Sequence, residues 1–562
     1  MDLQRSLLIG ALAVLSFMLL TKWVAFEESH KAAAAAPVAQ VQAGETAAEL
    51  PSLVENGDHS DEVPSLPQAD TPAATGLATA EHKTRHSQVT VRTDSLQVNI
   101  DLNGGDITQV ALPRHPAHID TPDQPFVLME QTNQRIYVAQ SGLIGKDGID
   151  QSGRASFSSK QASYQLADGQ DQLVVDLQWQ GEGAVGITKR FTFTRGDYLI
   201  KVDYLVNNGS DQRWQGNLFG QIKRDNSPGP STSSGMGLHP FLGAAITTPE
   251  DNFAKYSFDD IAEKPFREAI QGGWVALIQH YFISAWIPNP EQTNNYSMRT
   301  TRSGFNIIGF TSPVLTVDPG SSGTVGASFY AGPKDQYRLK EISPYLDLVV
   351  DYGWLWWIAQ PLFWLLTKIH SLVGNWGVSI ILLTVLVKGA FFKLSATSYR
   401  SMAKMRKVQP KIVELRERYG DDKQKQSQAM MELYRKEKVN PMGGCLPILV
   451  QMPVFIALYW VLMESVELRQ APFMLWIKDL SVMDPYFVLP IIMGACMWFA
   501  QKLNPPPPDP MQAKVMQWLP IIFTFFFLWF PAGLVLYWVV NQLLSITQQW
   551  VITRQIEKSD TA

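Results

Sequence analysis

Long apolar runs fill the second half of the chain and limit what it can fold into. Five of them occupy residues 376–395, 444–465, 486–501, 515–530 and 533–552. Runs of this kind, with few charged residues, are typical of membrane-spanning helices, although a helix of sixteen residues covers only about 24 Å of a hydrocarbon core of about 30 Å. Together with an apolar run near the N-terminus, they predict six transmembrane helices.

One of these runs carries a lysine. Lys388 lies about seven residues, or about 10 Å of helix, from the inner end of its run. An ionisable group at that depth is costly and indicates a functional site. The alternative is that the long side chain reaches back to the membrane surface. Lys393 can already serve as the terminal anchor, and Thr384 lies one turn earlier on the same face; the residues alone leave both interpretations open.

The last run carries a polar stripe. Asn541, Ser545 and Gln548 recur at steps of four and three in a helix that is otherwise apolar. Such a stripe commonly only bonds a neighbouring helix. Two polar faces, one of them bearing a cation, could instead line a wet cavity.

The segment between the first two runs is strongly basic. From residue 393 to 438 it holds thirteen Lys plus Arg against six Asp plus Glu, a net charge of +7 in a chain whose total is −5, so the remainder carries −12. This asymmetry indicates membrane topology rather than nucleic-acid binding, because positive loops stay in the cytoplasm. Both termini are then cytoplasmic, including a short tail at 553–562.

The same segment, residues 397–440, shows two apolar stripes at helical spacing on either side of Gly420. The pattern predicts a cytoplasmic hairpin of two amphipathic helices, with Pro410 bending or restarting the first. The stripes consist of Met402, Met405, Val408, Ile412, Leu415 and Tyr419, and of Met430, Met431, Leu433 and Tyr434.

The first 87 residues divide in two. Residues 1–26 have Arg5 ahead of an apolar core and predict an uncleaved signal-anchor helix, with a cleaved signal peptide as the alternative. Residues 27–87 are rich in Ala, Pro, Glu and Asp, so we expect a disordered linker.

Period-two alternation begins at Gln88. Apolar and polar residues alternate in the stretches VTVRTDSLQVNIDL, DQLVVDLQW, ITKRFTFT, YLIKVDYLV and GTVGASFYAG. Many short strands without helical runs between them predict a large antiparallel β-sandwich over residues 88–338.

The range 339–373 is apolar only at its centre, contains Pro361 and is edged by tryptophans. If it crossed the membrane, the basic segment would lie outside, against the positive-inside bias. We therefore expect an amphipathic helix in the outer interface.

Motifs for covalent catalysis or metal binding are weak or absent. The GxGxxG match at 181–186 precedes a strand-like stretch where a dinucleotide site needs a helix. His115 and His118 lie in a Pro-rich loop without a companion carboxylate motif. Cys445 and Cys496 lie in apolar runs and leave the polar half without a disulfide. We expect no enzyme, metal or cofactor.

Several longer stretches resemble the YidC-type membrane protein insertases of Gram-negative bacteria, in the YidC/Oxa/Alb superfamily. They are NWGVSIILLTVLVKG, SMAKMRKVQPKI, RERYGDDKQKQSQAMMELYRKEKVNPMGGCLPILVQMPVFIALY, VELRQAPFMLWIKDLS and FFFLWFPAGLVLYWVVNQLLS. The resemblance covers the chain end to end. It implies a polytopic α-helical inner-membrane protein with a periplasmic supersandwich domain, in which transmembrane helix 2 spans 374–396 and helices 3–6 lie within 441–552.

The family fold implies a hydrophilic groove that is open to the cytosol and to lipid and closed toward the periplasm. The family commonly has an arginine at its centre; Lys388 keeps the charge but loses the planar fork, which favours electrostatic attraction of acidic segments. The groove residues so implied are Lys388, Thr384, Tyr537, Trp538, Asn541, Ser545 and Gln548. Phe455 and Phe526 would form a hydrophobic slide, with ordinary packing as the alternative. The hairpin residues are Met402, Met405, Arg406, Lys407 and Gly420.

The implied function is insertion and chaperoned folding of nascent integral membrane proteins, alone or with the Sec translocon. The implied partners are SecYEG, SecDF, ribosome–nascent chain complexes and anionic lipid, with no nucleic acid outside the ribosome. The rival interpretations are a secondary transporter or channel with a periplasmic accessory domain, and a membrane-tethered carbohydrate-active enzyme.

Overall fold

Two β-sheets form the first unit of the chain in a computed structural model that describes residues 63–64, 88–151, 153–181, 183–229, 240–420, 422–437, 446–503 and 510–561. The signal-anchor helix expected at 1–26 and nearly all of the linker expected at 27–87 lie outside these residues. The chain divides into two compact units after Val350.

The strands of the first unit, in chain order, are β1 Gln88–Arg92, β2 Gln97–Asp101, β3 Asp106–His118, β4 Thr121–Gln131, β5 Ile136–Ile144, β6 Phe157–Ser159, β7 Ser163–Gln165, β8 Gln172–Trp179, β9 Val185–Thr194, β10 Leu199–Asn208, β11 Trp214–Arg224, β12 Gly243–Ile246, β13 Ala254–Tyr256, β14 Phe266–Gln271, β15 Val275–Ile278, β16 Phe282–Pro288, β17 Thr293–Thr300, β18 Asn306–Val317 and β19 Ser322–Pro333. One sheet has the order β14-β17-β18-β11-β5-β4-β3-β2-β1-β7, and the other β13-β12-β15-β16-β19-β10-β9-β8-β6.

The sandwich predicted from alternation is confirmed. Along β9 and β10, buried residues alternate with more exposed ones, as expected for strands with one face in a core. The pairing is antiparallel except that β1 and β7 run parallel. The Tyr137 hydroxyl on β5 meets Ser284 Oγ on β16 at 2.6 Å, which joins the two sheets across their interface.

A short helical segment covers part of the second sheet. Every residue of β16 is buried, because Trp286 packs toward the other sheet while Ile283 and Ala285 belong to a cluster with Leu339 and Val349. These last two residues come from α2 (Gln336–Ile342) and from a 3₁₀ turn at Leu346–Val349. The range expected to form one interfacial helix, 339–373, is therefore divided, since its first part packs on the sandwich.

A buried ionic network also links the sheets. Arg154 donates to Asp150 Oδ1 at 2.9 Å and bonds Asp106 as well. Lys189 is fully buried, and its Nζ donates to two main-chain carbonyl oxygens at 3.0 and 3.1 Å. Burial lowers the pKa of Lys189 to about 7, although Asp106 and Asp150 pull in the opposite direction.

The helices of the described residues, besides α1 (Phe258–Glu263) and α2 in the sandwich unit, belong to the second unit. They are α3 Trp356–Val373, α4 Trp376–Ala390, α5 Phe392–Tyr419, α6 Lys423–Lys436, α7 Leu446–Glu464, α8 Val488–Leu503, α9 Pro510–Phe526 and α10 Ala532–Thr561, with 3₁₀ turns at Gly353–Leu355, Val466–Leu468 and Phe527–Trp529. Each of the five spans predicted after residue 375 coincides with one or two of these helices.

Length and apolar composition do not by themselves identify a spanning helix here. Within the described residues, no single helix passes such a test, whereas α4 and α5 pass it together across a bend of 67°. Shorter apolar helices occur at Val450–Glu464, Val488–Leu503 and Ala513–Trp529. The number of spans therefore stays a prediction.

The basic segment forms a helical hairpin. Val408 and Ile412 of α5 are buried against Met405 and against three residues of the second arm, α6, which are Met430, Leu433 and Tyr434. Gly420 has a φ of 45° and ends the first arm. Pro410 lies inside α5, which continues through it, so the first arm does not restart there. A separate bend of 67° lies between α4 and α5.

Candidate functional site around Lys388

Lys388 joins three helices through its ammonium group. Its side chain extends from the last turn of α4 and the residue is 8% exposed. Nζ donates to Ser545 Oγ on α10 at 2.7 Å and to Gln451 Oε1 on α7 at 3.2 Å. The side chain of Lys388 therefore points toward α7 and α10. Simple anchoring at the membrane surface would instead require it to extend along the axis of α4.

The bonding partners of Lys388 are neutral. Among the ion pairs of the described residues, none includes Lys388. A largely buried cation with only neutral acceptors keeps much of its desolvation cost. An incoming carboxylate would offset that cost, so the site is electrostatically suited to an anionic group.

The polar stripe of α10 faces α4 and α5. Ser545 accepts from Lys388 and donates to the Asn541 carbonyl oxygen at 2.7 Å, which fixes the orientation of its hydroxyl. Gln548 Nε2 donates to the main-chain oxygen of Phe392, the first residue of α5, at 3.3 Å. The stripe therefore bonds α5 through Gln548 and contacts Lys388 through Ser545, while the wet cavity stays a prediction.

Thr384 lies one turn from Lys388 on α4 and is 1% exposed. Its hydroxyl donates to the Ile380 carbonyl oxygen at 2.6 Å. This bond is internal to α4. Thr384 therefore lies one turn from Lys388, but the two side chains are not hydrogen-bonded to each other.

An aromatic cluster lies on α10 one to two turns before the stripe. Phe455 of α7 packs edge-on against Trp538 at 4.6 Å and is stacked with Tyr537 at 6.1 Å between ring centroids. Trp538 also contacts Phe527, at 5.6 Å, and Phe527 contacts Phe526, at 5.9 Å. The two residues expected to form a slide, Phe455 and Phe526, are thus linked through Trp538 and Phe527.

The members of this cluster differ in exposure. Tyr537 is 3% exposed, whereas Phe526 is 48% exposed. Trp538 Nε1 is buried and has no hydrogen-bond partner among the described residues. Tyr537 is therefore a packing residue in this arrangement, and Phe526 presents an apolar surface outward.

The loop between α7 and α8 contacts the N-terminal ends of α4 and α10, two of the helices that carry the site. Its Leu480 oxygen accepts from Gly533 N at 2.9 Å, and Asn375 at the start of α4 donates to the Phe473 oxygen at 2.9 Å. Asp484, 1% exposed, accepts from Trp476 Nε1 at 2.9 Å and from the Leu489 amide at 2.8 Å, which caps α8. Lys388 lies near the opposite end of α4.

Two partners were not predicted from the sequence. Gln451 is the polar residue within CLPILVQMPVFIALY, and an isolated amide in an apolar run was the available signal. Tyr399 of α5 hydrogen-bonds Ser545. Tyr399 lies in the chain after the predicted span 376–395. Its position beside Ser545 depends on the bend at Phe391, which the sequence did not predict.

Among the described residues, no group of three or more His, Cys, Asp or Glu could hold a metal ion. His115 Nε2 lies 3.1 Å from the Tyr198 hydroxyl, which gives this imidazole a structural partner.

Comparison with family models defines the class of protein. The model of the YidC periplasmic domain matches residues 88–365, and the model of the 60Kd inner membrane protein matches residues 368–559. The chain is accordingly a bacterial inner-membrane protein with a periplasmic β-sandwich domain.

Similarity to curated proteins specifies the family. The chain is 57% identical to the membrane protein insertase YidC of Cellvibrio japonicus, over 100% of both chains. It is 56% identical to that of Stutzerimonas stutzeri over 99% of both. A crystal structure of an active YidC insertase with its first transmembrane domain resolved is 18% identical and covers 83% of this chain and 92% of its own, with a TM-score of 0.38. The chain belongs to the YidC family of membrane protein insertases, which confirms the resemblance and agrees with the expectation that it is not an enzyme.

Proposed function

We propose that the chain inserts nascent membrane proteins by drawing a polar, often acidic, segment toward Lys388 in a groove between α4, α7 and α10. The observation that carries this proposal is a largely buried ammonium whose acceptors, Ser545 and Gln451, are both neutral. A cation in this state favours an incoming carboxylate, which would shorten the apolar path that the segment must cross. The process needs no covalent chemistry.

The groove, in this proposal, lies at membrane depth. The helices of the second unit expose large apolar side chains far beyond what soluble surfaces usually carry. They include Trp356, Trp364, Ile491, Phe499, Trp518, Ile521 and Phe525. Lipid is the environment in which such surfaces are stable, with the tryptophans of α3 at the outer interface.

The proposed topology has six spans, both termini in the cytoplasm and the sandwich in the periplasm. The loop that caps α8 through Asp484 would close the groove on the periplasmic side. The hairpin of α5 and α6 would project into the cytosol, with Met402, Arg406 and Lys407 available to substrate, ribosome–nascent chain complexes or anionic lipid. The net positive charge of the hairpin supports its placement on the cytoplasmic side.

The apolar segment of the substrate would move along the surface that joins Phe455 to Phe526. The contact chain through Trp538 and Phe527 supports a continuous aromatic track between α7 and α9. Thr384, Asn541 and Gln548 would line the polar side of the path. SecYEG is the proposed partner for larger substrates, and SecDF the proposed contact of the sandwich.

Reconstitution tests the proposal directly. The purified chain, alone in liposomes, should insert a small membrane protein with an acidic translocated tail, scored by protease protection against empty liposomes. Lys388→Ala should reduce insertion, and Lys388→Glu should reduce it further because the charge is reversed. Insertion that is indifferent to both changes would return Lys388 to a structural role, and no insertion above empty liposomes would favour a transporter or channel.

A further inference from the structure

The same tryptophan–cation pair occurs on two neighbouring helices. On α8, Lys502 Nζ lies 3.7 Å from the centroid of the Trp498 ring, and on α10, Arg554 Cζ lies 4.1 Å from that of Trp550. In both cases the cation follows the tryptophan by four residues, which places the two side chains on one helical face. Both indoles remain accessible, Trp498 being 46% and Trp550 48% exposed.

Direct bonds bring the ends of the helices together. Gln549 Nε2 on α10 donates to the Leu503 carbonyl oxygen at the end of α8, at 3.3 Å. Gln501 Nε2 on α8 donates to the Met516 carbonyl oxygen on α9. Lys502 therefore lies beside the turn of α10 that precedes Arg554, and Lys514 of α9 lies close to the same end.

Among the ion pairs of the described residues, none includes Lys502, Lys514 or Arg554 at this end of the helices. The described residues of α8, α9 and α10 up to Gln555 contain no Asp or Glu. The helix dipole would account for Lys502 in the last turn of α8, but not for Arg554, which lies inside α10. The two arrangements share an exposed cation held beside a half-exposed indole, which is a combination suited to the boundary between headgroups and acyl chains.

We propose that Trp498–Lys502 and Trp550–Arg554, together with Lys514, form a binding site for the headgroup phosphates of anionic phospholipid in the cytoplasmic leaflet. The inference rests on the topology in the proposed function, which places these helix ends at the cytoplasmic surface. The cations attract the phosphate, and the indoles pack against the glycerol region. A lipid held there would bridge α8 and α10, the helices on either side of the Gln549 bond.

The test measures lipids retained by the full chain. Protein extracted from a membrane with equal phosphatidylethanolamine and phosphatidylglycerol would be examined by native mass spectrometry. Lys502→Gln/Arg554→Gln should lower the retention of phosphatidylglycerol roughly tenfold or more, since each cation near an anionic surface contributes to binding. The control Lys340→Gln/Lys478→Gln removes the same charge from two exposed lysines elsewhere and should leave retention unchanged.

Further arms separate the possible outcomes. The swap Lys502→Arg/Arg554→Lys keeps both charges and should retain lipid as the unaltered chain does. If the swap variant also lost phosphatidylglycerol, misfolding would explain the loss and the proposal would be overturned. If the Gln variant and the control retained phosphatidylglycerol equally, the proposal would also be overturned. Displacement by millimolar inorganic phosphate would assign the site to free phosphate instead. Because retention is measured without substrate, a failed insertion assay with intact retention would count against the proposed function only.

Discussion

Lys388→Gln should reduce the insertion of a substrate with an acidic translocated segment far more than that of its neutral counterpart. Glutamine keeps polarity and approximate length while it removes the charge, so the comparison isolates the electrostatic contribution. A carboxylate about 4 Å from an ammonium is attracted by about 4 kcal/mol at an effective dielectric constant of about 20, and by about 1 kcal/mol in bulk water. At 8% exposure, Lys388 is closer to the first limit.

The lysine must also loosen its own bonds. Each bond from the ammonium to Ser545 or Gln451 contributes about 1.5 kcal/mol or more, because one partner is charged. After this offset we expect the ratio of acidic to neutral insertion to fall by roughly 10- to 100-fold, which corresponds to about 1.4–2.7 kcal/mol.

The assay is the initial rate of protease-protected substrate in liposomes, with two substrates that differ only in Asp against Asn at the translocated positions. Lys478→Gln, which changes an exposed lysine in the loop before α8, is the matched control and should leave the ratio unchanged. If Lys388→Gln lowered the insertion rates of both substrates by the same factor, electrostatic attraction by Lys388 would be refuted and its role would be structural.

Three other perturbations probe separate parts of the molecule. Gln451→Leu should reduce insertion of the acidic substrate by less than Lys388→Gln does, because the ammonium keeps Ser545 as an acceptor; an equal or larger loss in the same rate assay would contradict this ranking. Lys189 has its folded pKa lowered to about 7 by burial, below its unfolded value, so the unfolded state binds more protons above that pH. Stability of the sandwich should therefore rise between about pH 7 and pH 9.5, by at most about 1.4 kcal/mol per unit, and thermal melting of Lys189→Met should lack this slope. Gly420→Cys should react with an impermeant thiol reagent only from the cytoplasmic side, and labelling from the periplasm would overturn the proposed topology.

Several features could be predicted from local pattern. Alternation identified β8, β9, β10 and β19 because a strand with one buried face repeats every two residues. The spacing of Met405, Val408 and Ile412 identified the hairpin for the analogous reason in helices. Lys388 stood out because an ionisable group in an apolar run is costly wherever the helix packs.

Other features depended on contacts between distant residues. The bond from Lys388 to Gln451 spans 63 positions, and that to Ser545 spans 157. No periodicity specifies which helices meet, since an apolar helix in lipid can pack on many neighbours. The bend between α4 and α5 was likewise not predicted, since the apolar run 376–395 continues through it.

The sequence by itself determined the β-sandwich, the apolar runs, the charge asymmetry and the family, because each of these is written in the order and type of neighbouring residues. Only the tertiary structure decided that Ser545 and Gln451 are the acceptors of Lys388 and that Thr384 bonds its own helix. It also decided that residues 336–349 pack on the sandwich and that the loop before α8 contacts the N-terminal ends of α4, α8 and α10. These outcomes depend on which surfaces bury one another, and the free energy of that choice is shared among residues far apart in the chain.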